Sequence, residues 1–351
     1  MYVHPIKPVL IAFLFLSVQG VSLLAQIGGI NTFHFLNLSP SARITALGGA
    51  NPSIADDDIT QALANPALIN EKMRHQAAIN HRFHVADISH GTVTYGLPLD
   101  SVFTLLLAAQ YVDLGQFERA DEFGNRDGFF DGSEVAVTIG SSYKLDDRLR
   151  IGLNLKYVSS VMETYSSNGL GGDIGFHYFN PDNQANWSMV LKNIGGQISS
   201  YNVTREALPI EFQIGYAKRL KHLPFRFLIT ARNIQNWKLT YESELNQDLN
   251  IINGSNNESG GLGKIVDNLF RHLTFGGELL IGPREGFRVR MGYSHQRNKE
   301  LSTGGYRSLS GLSIGFGVRV KRFMFNYGYS RFHLAGNTSH IGFSMNLTKM
   351  K

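Results

Sequence analysis

The 351-residue chain has no cysteine. That absence removes disulfide frameworks, zinc–thiolate sites and thiol catalysis, and it fits passage through an oxidising compartment. Proline is scarce, at 10 residues. Beyond residue 25 no stretch approaches the roughly 18 apolar residues of a spanning helix, so a membrane crossing would be made by strands. The net charge is +5, but there is no basic block and no RNA-binding motif, so no nucleic-acid partner is expected. GxSxG, HExxH and Walker signatures are missing, which points away from an enzyme. The 12 histidines are scattered. His75, His81 and His84 lie on or near one strand, yet His81 and His84 have opposite parity and form no convergent metal set. No metal and no cofactor are expected.

What the chain has is glycine, 37 residues, and aromatics, 11%. Both fall in segments that alternate with period two. Leu149, Ile151, Leu153, Leu155 and Tyr157 point one way, and Arg150, Gly152, Asn154 and Lys156 the other. The same pattern recurs from Phe287, Leu312, Phe323 and Ile341. About 14 such segments begin near Met73, Ser89, Ser101, Glu134, Arg148, Leu170, Asn186, Pro209, Leu223, Leu269, Gly286, Leu309, Arg322 and Thr338, each near the ~10 residues of a tilted membrane strand. Alternate junctions are tight, such as Pro98-Leu99-Asp100 and Val320-Lys321, while Asp113–Ser133 and Gln235–Asn268 are long. A soluble sandwich also alternates, but short turns on one side and long loops on the other predict an all-β fold. That fold is a single closed antiparallel outer-membrane barrel with both ends on the short-turn side. Tyr95, Tyr111, Tyr143, Tyr157, Tyr178, Trp187 and Tyr293 fit aromatic girdles.

Met1–Ala25 reads as a secretory signal peptide: Lys7 is the basic start, Val9–Leu24 the apolar run, and Ala25 the small residue before a cut. Residues 26–72 are an N-terminal extension and plug or hatch, and 73–351 the barrel. Asn37–Asn70 has no period of two. It breaks at Gly48-Gly49, offers Asp56, Asp57 and Asp58 as caps for a short helix Ile59–Ala64, and stops at Asn65-Pro66. An ordinary N-terminal loop with one helical turn is the other reading. The interior face carries Arg150, Lys156, Arg226, Arg232, Arg288, Arg290, Arg319, Glu211 and Glu278, an arginine excess that would attract the plug acids. A salt-bridged plug is preferred to an anion path.

The first long loop holds Asp121, Glu122, Phe123, Gly124, Asn125, Asp127, Gly128, Phe129 and Phe130. EF-hand spacing fails, because Phe123 falls where an acid is needed, so solvated Asp and Gly turns are expected. Its phenylalanines would anchor the rim or meet a partner. In the second long loop, Gly263–Arg271 spaces Ile265, Val266, Leu269 and Phe270 as a short amphipathic helix, a lid or a partner surface.

The block Ala46-Leu47-Gly48-Gly49-Ala50, Ser53 to Asp58 and Asn65-Pro66-Ala67-Leu68 resembles the hatch of the FadL-like barrels. With Asp121–Asn125 and Arg271-His272, the chain looks most like the PorQ-like family of the type IX secretion system of Bacteroidetes. The resemblance implies a non-enzymatic role. Such a barrel would hold a PorZ-like surface protein, near PorU-like and PorV-like proteins, in the complex that fixes secreted proteins to lipopolysaccharide. Asp121, Glu122, Phe123, Gly124, Phe129 and Phe130 would form the partner-binding loop. The other implied role is a FadL-like channel for hydrophobic small molecules. It predicts an apolar pocket beside the plug and a lateral gap marked by proline or broken alternation, which the strands from Leu149 and Gly286 lack. A porin is a third reading.

Overall fold

The computed structural model describes residues 31–84, 87–100, 103–121, 123–201, 204–237, 239, 261–301, 310–333 and 336–350. The expected signal peptide, Glu122 and much of the second long junction lie outside them.

Alternation builds the wall. Fourteen strands follow in chain order: β1 (Gln76–Phe83), β2 (Ser89–Pro98), β3 (Thr104–Ala120), β4 (Arg126–Lys144), β5 (Leu149–Met162), β6 (Tyr165–Asn180), β7 (Ala185–Ser199), β8 (Glu211–Arg219), β9 (Phe225–Ala231), β10 (Leu273–Ile281), β11 (Phe287–Ser294), β12 (Leu312–Val320), β13 (Phe323–His333) and β14 (Gly336–Asn346). Each pairs antiparallel with its sequence neighbour, and β1 closes on β14 from Gln76↔Asn346 to Phe83↔Ser339. The β1–β14 pairing closes the sheet on itself, as a strand wall in lipid requires. The apolar rows turn outward: Ile79, Ile139, Leu155, Met291 and Ile314 are all exposed. The polar rows turn inward, where Asn154, Asp173 and Glu278 are buried. In water this would be inside out. In a bilayer it is the required arrangement. Among the described residues no helix is long and apolar enough to cross a membrane. Both barrel ends, Gln76 and Asn346, lie on the side of the tight turns.

The expected ordering of loop lengths holds in part. Asp113–Ser133 is not a loop but the outer half of the β3–β4 hairpin. Pairing resumes past a bulge at Gln116↔Asp131 and runs to Ala120↔Arg126. β4 therefore starts well before Glu134, and β6 before Leu170. Alternation fades there because both faces of the strands are exposed, while the backbone ladder continues. The asymmetry lies mainly in strand length. β3 to β6 have 17, 19, 14 and 16 residues, and β8 to β11 have 9, 7, 9 and 8.

Between the two readings of the N-terminal segment, the structure gives a plug. Nearly every residue from Ser39 to Ser53 is buried. Helix α1 (Ala42–Ala46) is capped by Ser41, whose hydroxyl accepts from Ile44 N at 3.3 Å. Short 3-10 helices follow at Ile59–Leu63, Pro66–Leu68 and Glu71–Met73. The plug seats against wall positions without side chains. A Cβ at Gly292 would meet Gly48 N at 2.2 Å, and one at Gly328 would meet Ala42 O at 2.3 Å. On the long-loop side, helix α2 (Gly261–His272) and helix α3 (His295–Glu300) complete the fold.

Candidate functional site: the plugged lumen and its side wall

The plug and wall meet through buried charge. Glu278, on the inner face of β10, is fully enclosed. It accepts from Arg290 Nε at 2.8 Å, Arg226 Nη1 at 2.9 Å and Arg43 Nη2 at 3.1 Å. Arg43 belongs to the plug and also holds Asp56 at 2.7 Å and Asp58 at 3.2 Å. Asp57 pairs with Arg319 at 2.7 Å. Burial would raise the Asp56 carboxyl, but Arg43, by charge and hydrogen bond, outweighs it. Asp56 is held far below the usual carboxylate range.

Of the expected plug acids, Asp57 meets the wall arginine Arg319 and Asp56 lies 3.7 and 3.9 Å from Arg226 and Arg288, while Asp58 pairs with Arg43 of the plug itself. Their role as caps also needs correction. Only Asp58 caps, accepting from Thr60 N at 3.1 Å. Asp56 and Asp57 are drawn off by Arg43 and Arg319, because an ion pair holds a carboxylate more strongly than a neutral amide does. The run they precede is a 3-10 helix. Arg43 itself was missed. Its signal was a lone charge in the otherwise small and apolar stretch Ala42–Ala46. Three more of the interior charges expected from the sequence are paired: Arg150 with Glu71, Lys156 with Asp173 and Arg232 with Glu211.

Gly48 and Gly49 have φ of +98° and +92°. A Cβ at Gly48 would meet Thr274 Cγ2 at 2.4 Å, so glycine there serves both the turn out of α1 and the close approach to β10. Asn65 is fully buried. Its carbonyl accepts from Ala67 N at 2.9 Å, and its amide donates to Pro52 O at 3.0 Å and Phe176 O at 3.3 Å. Asn65-Pro66 therefore ends the preceding run and also pins it to β6.

The two halves of the lumen differ. On the short-turn side a polar vestibule of about 980 Å³ is lined by Asp56, Asp57, Arg226, Arg288 and Arg319, among others. On the long-loop side Phe33, Phe35 and Leu36 from the N-terminal segment pack with Val112, Ala136, Val158 and Leu208.

Beside this apolar cluster the wall changes. β7 pairs with β8 only from Ala185↔Lys218 to Lys192↔Glu211. Just beyond, Asn193 takes φ +59° and Gly195 φ +158°. The register against β6 slips between Gly172 and Ile174, and Lys192 and Asn193 both face inward. This is a bulge. Residues 204–208 fold back to cover the freed edge through one bridge, Gly196↔Ala207, with Leu208 N bonded to Gly195 O and Gln197 N to Glu206 O, each at 3.2 Å. The broken alternation that would mark a lateral gap is therefore present, in β7 and not in β5 or β11. Its sequence signal was Lys192-Asn193-Ile194-Gly195-Gly196.

At the hairpin tip, Asp121 accepts from Phe123 N, Asn125 N and Asn125 Nδ2 at 2.8–2.9 Å. Those bonds, from the Asn125 side chain first, lower its carboxyl. Gly124 turns with φ +83°. Phe123 is 88% and Phe129 64% exposed, whereas Phe130 stacks on Phe117 with ring centroids 5.4 Å apart. Asp121, Phe123, Gly124 and Phe129 thus share one tip, and Phe130 serves the hairpin itself. Among the described residues no three His, Asp or Glu converge on a point that would hold a metal ion.

No family model and no curated protein matches the chain. Solved structures do. The toluene transporter TodX of Pseudomonas putida superposes with a TM-score of 0.50 at 12% identity, over 88% of this chain and 96% of that one. Two TodX variants described as monoaromatic hydrocarbon channels, with segments S2 or S2 and S3 deleted, give 0.52 at 13% and 0.53 at 11%. They cover 88% and 89% of this chain, and 97% and 100% of theirs. At such identities the likeness is one of fold alone: the chain folds as TodX does, into a closed barrel.

Proposed function

We propose that the protein is a passive, non-enzymatic outer-membrane channel for small hydrophobic molecules. The observation that carries this reading is the break in the wall between β7 and β8, with an apolar cluster directly behind it. On the long-loop side Phe33, Phe35, Leu36 and Leu208 form a closed apolar cluster rather than an open pocket, so a hydrophobic solute would have to part it, and charge bars the way straight down into the plug. The easier exit is sideways. Lifting residues 204–208 breaks two backbone hydrogen bonds, the bonds of Glu206 N to Gln197 Oε1 and of Thr32 Oγ1 to the Glu206 carboxylate, and exposes Leu208, which costs roughly 4–9 kcal/mol in sum. At the low end of that range the segment opens occasionally by itself, and at the high end a bound solute has to drive it. TodX, whose fold this chain shares, is described as a hydrocarbon channel, and that description supports the same reading.

Gly196 and Ala207 face each other in a non-hydrogen-bonded pair, close enough for a disulfide. The chain has no other cysteine. Cells carrying Gly196→Cys with Ala207→Cys should take up radiolabelled toluene only when reductant is present, while wild type ignores reductant. Equal uptake by the locked and unlocked forms would remove the lateral route.

A second reading, anchoring of a PorZ-like surface protein of a type IX attachment complex, near PorU-like and PorV-like proteins and lipopolysaccharide, is favoured by the β3–β4 hairpin. Its strands far exceed the ~10 residues a bilayer needs, and its tip exposes Phe123 and Phe129. Phe123→Ser with Phe129→Ser should release a stoichiometric surface protein from affinity-purified barrel without loss of heat-modifiability. A partner that stays bound to the double variant rules the hairpin out.

A further inference from the structure

Helix α2 wears its amphipathic pattern the wrong way round for water. Its apolar residues Ile265, Val266, Leu269 and Phe270 are 56%, 50%, 44% and 41% exposed. Its polar residues are turned to the protein. Asp267 binds Arg271 at 2.8 Å, His295 at 3.1 Å and Lys299 at 3.4 Å. Asn268 accepts from Leu239 N at 3.2 Å and donates to Trp237 O. His272 Nδ1 meets Arg232 O at 2.7 Å, and its ring stacks on Trp237. A helix on a water-facing surface packs its apolar stripe inward. Here the polar stripe is pinned from three sides and the apolar stripe has nowhere to turn but outward.

Two further observations say what lies outward. Phe270 sits 6.5 Å, centroid to centroid, from Phe275. Phe275 pairs with Tyr293 and Ile229 in the outward row of the wall, so the apolar face of α2 continues the lipid-facing band. The level also fits. β10 follows α2 directly and has 9 residues. At ~3.4 Å per residue and ~45° tilt it rises roughly 22 Å, against about 25 Å for the apolar band of such barrels. The short strands β8 to β11 end where the hydrocarbon ends, and α2 lies at that boundary rather than above it.

We propose that α2 is an interfacial anchor whose apolar face is buried in acyl chains of the outer leaflet, the lipopolysaccharide side of an outer membrane. The same orientation turns its apolar face away from the lumen. A helix of this kind, with an apolar face in lipid and a polar face held elsewhere, binds membrane in proportion to its buried apolar area. Here the polar face is held by the barrel, and the helix fixes the tilt and depth of the low side of the wall. This inference rests on the reading of the barrel as an outer-membrane protein.

The absence of native cysteine makes the test clean. Single variants Ile265→Cys and Leu269→Cys, labelled with the fluorophore NBD, are reconstituted into phosphatidylcholine vesicles. Leu155→Cys on the outer wall and Phe123→Cys at the hairpin tip accompany them, and heat-modifiability shows that each has folded. Doxyl-labelled phosphatidylcholine should quench the probes at 265, 269 and 155, and aqueous iodide the probe at 123. Probes at 265 and 269 that answer to iodide and not to doxyl lipid overturn the anchor, and would leave α2 as a docking face for a protein. If the probe at 155 also escapes doxyl lipid, the membrane reading of the barrel fails with it. The two failures are therefore distinct.

Discussion

At the scale of single residues the lumen is governed by where arginines outnumber carboxylates and where they do not. Glu278 serves three guanidiniums with two oxygens, and two of its partners, Arg290 and Arg226, are on neighbouring strands while Arg43 comes from the plug. Removing it leaves buried positive charges facing one another. Breaking a buried ion pair from one side costs about 3–5 kcal/mol. Glu278→Ala should therefore lower the temperature at which the folded band disappears on a gel, and should open the segment around Asp56 to protease. An unchanged transition would mean that water, not Glu278, balances these arginines. Arg43 illustrates what a sequence hides. A lone arginine among alanine, isoleucine and threonine looks like a defect in a short helix, and only the wall opposite makes it the link between plug and barrel.

At the scale of elements, the helix α2 and the hairpin β3–β4 show the same physics from opposite sides. The hairpin is exposed on both faces, so nothing enforced a strict alternation in its sequence and it reads as a loop. The helix kept its period, and Gly263–Arg271 was legible as an amphipathic helix. What could not be read was which face points where, since burial is defined by the solvent, and lipid inverts it. Asp267 ties the helix down. Burial alone would raise its carboxyl, but hydrogen bonds from Arg271 and His295, with the charges of Arg271 and Lys299, lower it to about 2. A depressed carboxylate stabilises the folded state fully above its ordinary value and loses that contribution as pH falls through the folded one. An NBD probe at Leu269→Cys should thus report one environment from pH 7 down to the ordinary carboxylate range near ~4, and should change only on the way toward pH 2. A change between pH 7 and 5 would show that another group holds the helix.

At the scale of the whole molecule, strand number, closure and the side on which the chain ends follow from counting. Period two, tight turns at every other junction and 14 apolar rows leave little choice but a closed barrel, because an open edge in lipid would strand backbone groups without partners. The glycines and small residues of Asn37–Asn70 set it apart from the strands but left a plug and an ordinary loop equally open, and the closed wall around it decided for the plug. Tertiary structure alone decided the rest: that Arg43 joins Asp56 to Glu278, that the freed edge of β7 is covered by residues 204–208, and that Phe33 and Phe35 fill the outer half of the lumen. The physical reason is separation along the chain. Periodicity is a local property, fixed by neighbours on one strand or helix turn. Charge pairing across the lumen, the covering of a strand edge and the choice of lipid or water for an apolar face depend on groups far apart in sequence that only the closed wall brings together.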